Sequence, residues 1–419
     1  MIQKFNKIEI ICKKAKNASY KLATSSNKER NIALKLIADQ ILKSKNEIIT
    51  ANKKDYMIAK KNEIPLHLLD RLLLNEERIK NMAKDIINIS QLEDPIGKEL
   101  IKKLRPNGLK ITKVSVPLGV IAVIFESRPN VACDVACLCI KSGNAVILKG
   151  GKEAKNTNEI IIKIIRKTLN KTSLSADILS SLKDYSRSAV NHLLKMSDYI
   201  DVIVPRGGKE LIKTVRKSSN IPIFSHLDGI CHTYIDKFAN KQMAIDVAYN
   251  AKMRRTSICG ATETILCHKD IVNQVLPLLL EKLLNAGCEV RGDSKVVMLN
   301  KKIKKANEQD WKKEYLDSIV SIKVVNSINN AIKHINNYSS KHTDAIITNN
   351  SKNANLFMSQ IESAIVMHNT STQFSDGAEF GLGAEIGIST GKLHARGPVS
   401  TQELTTYKYI VKGNGQLRQ

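Results

Sequence analysis

The chain has 419 residues, which is more than one hydrophobic core usually accommodates, so two or three domains are expected. Its hydrophobic content of 42% is that of a globular protein, and with only 4% aromatic residues the cores must be built from aliphatic side chains. A net charge of +26 raises the possibility of nucleic-acid binding. The lysines are, however, spread from Lys4 to Lys412 without interleaved aromatic residues, so nucleic acid is not expected as the main partner.

Cysteine usage and apolar runs indicate a protein of the reducing cytoplasm. The eight cysteines are too few and too scattered for a disulfide framework. Cys133, Cys137 and Cys139 lie close together, but no second Cys/His pair has zinc-finger spacing, so a core helix is favoured and no metal is predicted. The first residues are charged, and the longest apolar run, 114–125, is too short and too interrupted to span a membrane. We therefore expect a cytoplasmic protein without membrane contact.

The first part of the chain, from Ile8 to about Asp94, has the apolar spacing of helices. Asn75 is predicted to interrupt them, and a new helix is expected to begin with two acidic residues, Glu76 and Glu77. Residues 98–112 are polar and strand-prone around the turn 106–108, and 114–125 is predicted as one apolar strand. This region is therefore helical first and then β-rich.

The next part alternates apolar strands with helices, which is typical of a parallel α/β sheet. Two of the predicted strands, 145–149 and 200–204, each lead into a glycine pair and then a helix: Gly150–Gly151 and Gly207–Gly208. Glycine lets backbone N–H groups approach a phosphate at a helix N-terminus. Neither pair fits the G-x-G-x-x-G fingerprint, so the pairs indicate either a nucleotide site of another type or two plain strand–helix turns.

A second α/β pattern follows from residue 221 onward. Its predicted strands are 222–224, 231–235, 264–268, 294–299, 319–325 and 345–348, and its predicted helices are 243–250, 272–284 and 328–336. The last part of the chain is rich in glycine and ends in an alternating, strand-like segment at 405–411.

The loop 250–264, between a predicted helix and a predicted strand, carries the strongest candidate for chemistry. Cys259 lies there in a small, polar and cationic run with Arg254 and Arg255. Thiolate is the nucleophilic form of cysteine, and neighbouring positive charge lowers a thiol pKa. Gly260 would let a substrate approach the backbone. The alternative is a buried structural cysteine, because free cysteines are usually small core residues.

Several blocks of the chain carry a family resemblance. The most specific is residues 325–346, and further blocks are 125–130, 204–208 and 229–232. From about residue 33 to residue 411 the chain resembles the gamma-glutamyl phosphate reductase family of the aldehyde dehydrogenase superfamily. The resemblance implies two Rossmann-like α/β domains plus a small β oligomerisation arm. The implied ranges are 1–97 and 116–232 for the NADPH-binding domain, 233–396 for the catalytic domain, whose end could pack back on the cofactor domain, and 98–115 with 397–419 for the arm.

The resemblance also implies a reaction. Members of this family reduce L-glutamyl 5-phosphate to L-glutamate 5-semialdehyde and phosphate with NADPH, as the second step of proline biosynthesis from glutamate. Cys259 would form a thioester with the acyl group. The same resemblance implies a homo-oligomer, either dimer or tetramer, and a separate glutamate kinase is a possible partner.

Further site residues are expected by this resemblance and by the chemistry of the substrate. The Cys259 N–H and the Asn130 amide are candidate oxyanion donors, although Asn130 could instead cap a helix starting at Val131. Expected cofactor residues are Lys149 at the adenosine ribose, Glu314 at the nicotinamide ribose unless it is a surface helix residue, and a glycine-rich group at the phosphates: Gly150, Gly151, Arg206, Gly207 and Gly208. Basic groups should meet the substrate carboxylate and phosphate, with ordinary solvated or ion-paired side chains as the alternative: Arg128, Arg254, Arg255 and His342. Glu263 is expected to be structural.

Two departures and three alternatives accompany this interpretation. Gly260 stands where many relatives carry Asn, and Thr256 stands where Pro is common. An aldehyde dehydrogenase that produces a free acid would need a general base opposite Cys259, yet residues 225–229 offer only Asp228. A nucleic-acid-binding protein would need clustered basic and aromatic residues, and a scaffold with a dead site is disfavoured by the cysteine itself.

Overall fold

The computed structural model describes residues 2–418. The helices are, in chain order, α1 (Ile2–Ala23), α2 (Asn27–Lys43), α3 (Lys45–Lys61), α4 (Leu66–Leu72), α5 (Glu76–Gln91), α6 (Asn130–Lys141), α7 (Lys155–Leu169), α8 (Arg187–Leu193), α9 (Lys209–Ser218), α10 (Lys241–Met253), α11 (Val272–Asn285), α12 (Ser294–Val297), α13 (Ile328–Tyr338) and α14 (Ser351–Gln360). The strands are β1 (Glu99–Leu104), β2 (Lys110–Pro117), β3 (Val120–Phe125), β4 (Ala145–Lys149), β5 (Leu179–Ser181), β6 (Val202–Arg206), β7 (Cys231–Ile235), β8 (Thr262–His268), β9 (Glu289–Gly292), β10 (Lys304–Lys305), β11 (Ile319–Val325), β12 (Thr343–Ile347), β13 (Ile365–His368), β14 (Gly387–Ser389), β15 (Gly397–Val399) and β16 (Thr405–Lys412).

The chain forms two compact units. One runs to Ser225 and includes Gly381–Gly387 and the chain from Val399 onward, and the other comprises His226–Phe380 and Ile388–Pro398. The predicted boundary at 232/233 would divide β7, whose residues bond to β8 and β12 in the sheet of the second unit. The division therefore lies before this strand.

The first unit is built on a parallel sheet in the order β5-β4-β3-β6. Every residue of β3 and β4 is buried, as expected for central strands that are covered on both faces. The predicted helix start after Asn75 is also present, because its side-chain oxygen accepts a hydrogen bond from Arg78 N at 2.8 Å. The parallel α/β class predicted from the sequence is confirmed.

The apolar run 114–125 is two strands rather than the single strand that was predicted. β2 ends at Pro117 and β3 begins at Val120, with Gly119 between them at φ +125°. Asp201 fills the space beside this glycine, since a Cβ there would lie 2.2 Å from Asp201 Oδ2. Val120 N donates to the same oxygen at 2.7 Å. The glycine thus lets the chain pass from one sheet to another, which periodicity alone does not reveal.

A separate antiparallel sheet contains β1, β2 and β16 in that order. The predicted turn at 106–108 joins its first two strands, with Gly108 at φ +85°. Every residue of β1 is exposed, and Leu104 and Tyr409 are exposed to 71% and 59%. The role of this sheet as an oligomerisation arm stays a prediction.

The second unit is built on a larger parallel sheet in the order β10-β9-β11-β8-β7-β12-β13. Its core is aliphatic, with Leu279, Ile265 and Ile322 fully buried. The predicted strand at 294–299 is wrong. Asp293 accepts hydrogen bonds from the next backbone N–H groups and starts the short helix α12 there, while the strand lies earlier, at β9.

Two further features concern the segment 222–224 and the character of the helices. The predicted strand at 222–224 is only a single bridge, between Ile203 and Ile223. No helix within residues 2–418 has both the length and the apolar character needed to cross a bilayer.

Candidate active site

A buried ion pair fixes both ends of the loop that carries Cys259. Lys252, near the end of α10, places its Nζ 2.6 Å from Glu263 Oε2 in β8, and both side chains are fully buried. Glu263 Oε1 also accepts a hydrogen bond from Leu316 N at 3.1 Å. Burial raises the pKa of Glu263 to about 7, against the opposing effect of Lys252. Glu263 thus bridges the loop and the segment around Leu316.

Breaking this pair should destabilise the second unit strongly. We expect Lys252→Met to lower the free energy of unfolding by about 3–5 kcal/mol, because it leaves the Glu263 carboxyl buried without its cation. Equilibrium denaturation measures the change. The double variant Lys252→Met/Glu263→Leu is the matched control and should recover most of the loss. A Lys252→Met protein as stable as the unmodified chain would contradict this assignment.

Gly229 packs directly against the backbone of Cys259. A Cβ on Gly229 would lie 2.3 Å from the carbonyl oxygen of Cys259 and 2.7 Å from its Cα. The neighbouring N–H groups are held by side chains, since Gly229 N donates to Glu314 Oε1 and Ile230 N donates to Ser340 Oγ, each at 2.8 Å. Only glycine fits this position without moving the loop.

Two histidines flank the thiol of Cys259. A ligand atom from each of His226, Cys259 and His342 lies within 4.8 Å of the others. Burial alone would raise the pKa of Cys259, but the charge and hydrogen bonding of His342 and His226 outweigh it and hold the pKa well below its usual range. The arrangement favours a thiolate at neutral pH.

The other cysteines lack this environment. Cys231 is fully buried and donates from Sγ to the carbonyl oxygen of Cys259 at 3.1 Å, and burial raises its pKa. Burial likewise raises the pKa of Cys12, Cys139, Cys267 and Cys288. Among the eight described cysteines, Cys259 is the one whose pKa is lowered. His226 and Cys231 were not predicted as site residues, because the sequence separates them from Cys259.

Gly260, the predicted departure next to Cys259, also has a packing reason. A Cβ there would lie 2.5 Å from Ser375 Oγ and 3.1 Å from Thr372 O. Gln373 of the same segment donates from Nε2 to the carbonyl oxygens of α10 residues, at 2.9 Å for Ala251. The segment 372–375 therefore lies against the Cys259 loop and leaves no room for a side chain at Gly260.

The four basic residues predicted to meet the substrate lie in different surroundings. His342 lies beside Cys259. Arg254 is exposed and donates from Nε to Gln373 Oε1 at 2.9 Å, and Arg255 is also exposed. Arg128 is half-buried in the first unit, shortly after β3. Of the four, the structure brings His342 next to the thiol.

The carboxyl edge of the first sheet holds the predicted cofactor residues. Lys149 is buried, which lowers its pKa although Glu153 opposes the shift, and its Nζ donates to Gly150 O at 3.2 Å. Gly150 packs on Asn158, because a Cβ would lie 2.4 Å from Asn158 Nδ2. Within residues 2–418 neither amide atom of this buried asparagine has a hydrogen-bond partner. The Lys149 ammonium and the Asn158 amide together suit a polar ligand.

The second glycine pair already has an anionic partner. Gly208 N, at the start of α9, donates to Glu126 Oε2 at 2.8 Å, and a Cβ on Gly207 would lie 2.3 Å from that oxygen. Arg206, which ends β6, lies 3.8 Å from the carboxylate of Glu385. A phosphate at this helix N-terminus would have to displace Glu126. Glu126 was not predicted as a site residue, because its position before α9 depends on the order of the strands in the sheet.

Two further predicted residues have partners that were not expected. Asn130 begins α6 and donates from Nδ2 to Asp134 Oδ2 at 2.9 Å, with Pro129 at the N-cap, so it does not cap a helix from Val131. Burial raises the pKa of Asp134 to about 7. Glu314 lies outside the helices and binds Gly229 N, so the surface-helix alternative is wrong.

The chain is similar to aldehyde dehydrogenases along most of its length. A family model described as the aldehyde dehydrogenase family matches residues 3–308. A gamma-glutamyl phosphate reductase from Brucella suis is 48% identical over 407 residues, which is 97% of either chain. The crystal structure of such a reductase from Thermotoga maritima matches at 40% identity with a TM-score of 0.95, over 98% of this chain and 100% of that one. An engineered glycolyl-CoA reductase with bound NADP+ shares the fold at 14% identity, with a TM-score of 0.69 over 97% of this chain and 96% of that one.

Proposed function

The chain belongs to the aldehyde dehydrogenase family and, within it, to the gamma-glutamyl phosphate reductases, and from that premise we propose its reaction. The chain reduces L-glutamyl 5-phosphate, with NADPH as the reductant, to L-glutamate 5-semialdehyde and phosphate. This step belongs to proline biosynthesis. The observation that carries the proposed mechanism is the thiol of Cys259 between two histidines.

Cys259 acts as the nucleophile. Its thiolate attacks the acyl carbonyl carbon, a C–S bond forms, and the bond from that carbon to the phosphate oxygen breaks. Phosphate leaves with its electron pair, and the acyl group stays on Cys259 as a thioester. His226 and His342 stabilise the thiolate before the attack and again when the C–S bond breaks to release the aldehyde.

The developing negative charge on the carbonyl oxygen needs donors. The backbone N–H of Cys259 is suited to this role, and Gly229 holds that backbone in place. The Asn130 amide is proposed as a second donor, oriented by its hydrogen bond to Asp134. Phosphate is a good leaving group, so no activated water is required, and residues 225–229 offer no glutamate that would activate one.

The first unit is proposed to hold the cofactor. The ribose and phosphate groups of NADPH would meet the cations of Lys149 and Arg206, the backbone of Gly150 and the unsatisfied amide of Asn158. When bound, NADPH supplies the hydride that reduces the thioester. The role of Glu314 at the nicotinamide ribose remains part of this proposal, as does that of Gly151, Gly207 and Gly208 at the phosphates.

The proposal extends to the charged groups of the substrate and to the assembly. Arg128, Arg254 and Arg255 are candidates to pair with the carboxylate and phosphate of glutamyl phosphate. The sheet of β1, β2 and β16, with its exposed apolar side chains, would pair subunits in a homo-oligomer. A separate glutamate kinase would supply the labile acyl phosphate.

Phosphate dependence tests the reaction directly. In the reverse direction, we expect reduction of NADP+ by glutamate 5-semialdehyde to require phosphate, because phosphate must cleave the thioester on Cys259. The measurement is absorbance at the NADPH band with and without phosphate, with sulfate at equal ionic strength as the control. Equal rates without phosphate would show that water, and not phosphate, resolves the intermediate.

A further inference from the structure

The fold assembles a set of metal-ligand atoms from distant parts of the second unit. His226 comes before β7, Cys259 from the loop before β8, and His342 immediately before β12. One ligand atom from each lies within 4.8 Å of the other two. No metal was predicted from the sequence, because these three ligands have no regular spacing along the chain. Two imidazoles and a thiolate are ligands that Zn²⁺ prefers.

The ring of His226 is oriented as a metal ligand would be. Its Nδ1 lies 2.7 Å from the carbonyl oxygen of Ile388, and a carbonyl can only accept, so Nδ1 carries the proton. A neutral ring then has its lone pair on Nε2. Histidines that bind metals commonly donate their other ring N–H to a backbone carbonyl in this way, which fixes the tautomer.

His342 offers an unpartnered nitrogen. Its side chain is fully buried, and its Nδ1 lies 2.9 Å from Thr343 Oγ1. Considering the chain from residue 2 to residue 418, its Nε2 has no hydrogen-bond partner. A buried nitrogen without a hydrogen-bond partner lowers the stability of the fold unless a thiol or an ion interacts with it.

We propose that His226, Cys259 and His342 form a reversible inhibitory site for a thiophilic divalent cation of the Zn²⁺ type. Zinc bonds are about 2.3 Å to sulfur and about 2.0–2.1 Å to nitrogen, which sets tetrahedral ligand atoms about 3.5 Å apart. The three side chains therefore need to move inward by about 1 Å or less, which is within the range of small side-chain rotations. Solvent or substrate would fill the fourth position.

Metal binding would stop the chemistry at its first step. Metal binding requires neutral imidazoles, so any proton that pairs His226 or His342 with the Cys259 thiolate is released to solvent. The sulfur electron pair that would attack the acyl carbon then forms a bond to the metal instead. Binding would therefore compete with the acyl phosphate and with thiol-modifying reagents. Inhibition, but not metal binding itself, depends on Cys259 being the nucleophile proposed above.

Cobalt titration of the purified chain tests the site without reference to activity. Co²⁺ substitutes for Zn²⁺, and a thiolate bound to it gives an intense near-ultraviolet absorption band. We expect one Co²⁺ per chain with that band, displaced by Zn²⁺ and removed by EDTA. In Cys259→Ser the band should vanish, and in His226→Gln and His342→Gln the affinity should fall at least about tenfold. His192→Gln, in the first unit, is the matched control and should bind normally.

A second measurement avoids variants that fold poorly. In the unmodified chain, Zn²⁺ should protect Cys259 from iodoacetamide, as mapped by mass spectrometry, and EDTA should restore alkylation. Absence of stoichiometric Co²⁺ binding together with undiminished alkylation in Zn²⁺ would overturn the metal site while leaving the reductase proposal intact. Metal binding without inhibition of the reductase would instead count against the role of Cys259 in the reaction.

Discussion

Replacing Cys259 by alanine should lower reductase turnover by about 10⁴-fold or more, because the covalent step then has no nucleophile. Steady-state kinetics with NADPH and glutamyl phosphate, or in the reverse direction with semialdehyde and phosphate, measures the loss. Cys288→Ala is the matched control, since that thiol is buried at the start of β9 and its pKa is raised. Turnover in Cys259→Ala within tenfold of the unmodified chain would remove the thioester from the mechanism.

The lowered pKa of Cys259 can be tested separately, through the pH dependence of its alkylation. Thiolate is the form that reacts with iodoacetamide, and an ordinary thiol has a pKa of about 8.5. Because His342 and His226 depress the pKa, alkylation of Cys259 in the folded chain should stay near its maximum rate well below pH 8.5. In the denatured chain the same thiol should lose reactivity as the pH falls below that value. Identical pH profiles in the two states would contradict the histidine effect.

The second large effect is expected from Gly229→Ala. The added methyl group would lie 2.3 Å from the carbonyl oxygen of Cys259, so the backbone that carries the thiol and the proposed oxyanion donor must move. Misplacement of reacting groups by about 1 Å can cost about 10²-fold in rate, and we expect a fall in kcat/KM of that size. Steady-state kinetics measures it, and circular dichroism verifies that the fold is retained.

The matched control for Gly229→Ala is Gly391→Ala. A Cβ at Gly391 meets atoms only at ordinary contact distances, the closest being Ser389 Oγ at 3.8 Å, so this variant should keep full activity. A folded Gly229→Ala protein with unchanged kcat/KM would mean that the position of the Cys259 backbone does not limit the reaction.

The sequence predicted well those features that local patterns encode. Helix starts such as Asn75 and buried strands such as β4 follow from capping and from continuous apolar runs. It failed where a distant partner decides the outcome. Gly119 divides an apolar run because Asp201 packs beside it. Residues 294–297 were a different kind of miss, since the N-cap Asp293, which accepts from Lys295 N and Val296 N, is a local signal that the apolar pattern overrode.

The site was predictable in part for the same reason. Cys259 could be identified because its surrounding residues and the family resemblance mark it. Cys231 was noted only within the matching block 229–232 and His226 carries no local signal, since the order of β7, β8 and β12 in the sheet is what brings them near the thiol. Gly229 was noted only as part of a matching block, and its contact with the Cys259 backbone required coordinates.

Glu126 gives the first unit a built-in competitor for anions. Its carboxylate accepts the hydrogen bond from Gly208 N at the start of α9, where the helix dipole and the backbone N–H groups attract negative charge. A phosphate can bind there only in the fraction of molecules in which Glu126 has moved away, so its apparent affinity is reduced by that fraction. That factor is the same for every phosphate that uses Gly208 N, so a small free anion with few other contacts binds weakly, while a ligand held by additional groups still binds. The helix N-terminus thus raises the affinity that the rest of a ligand must supply, a requirement that an unoccupied terminus would not impose.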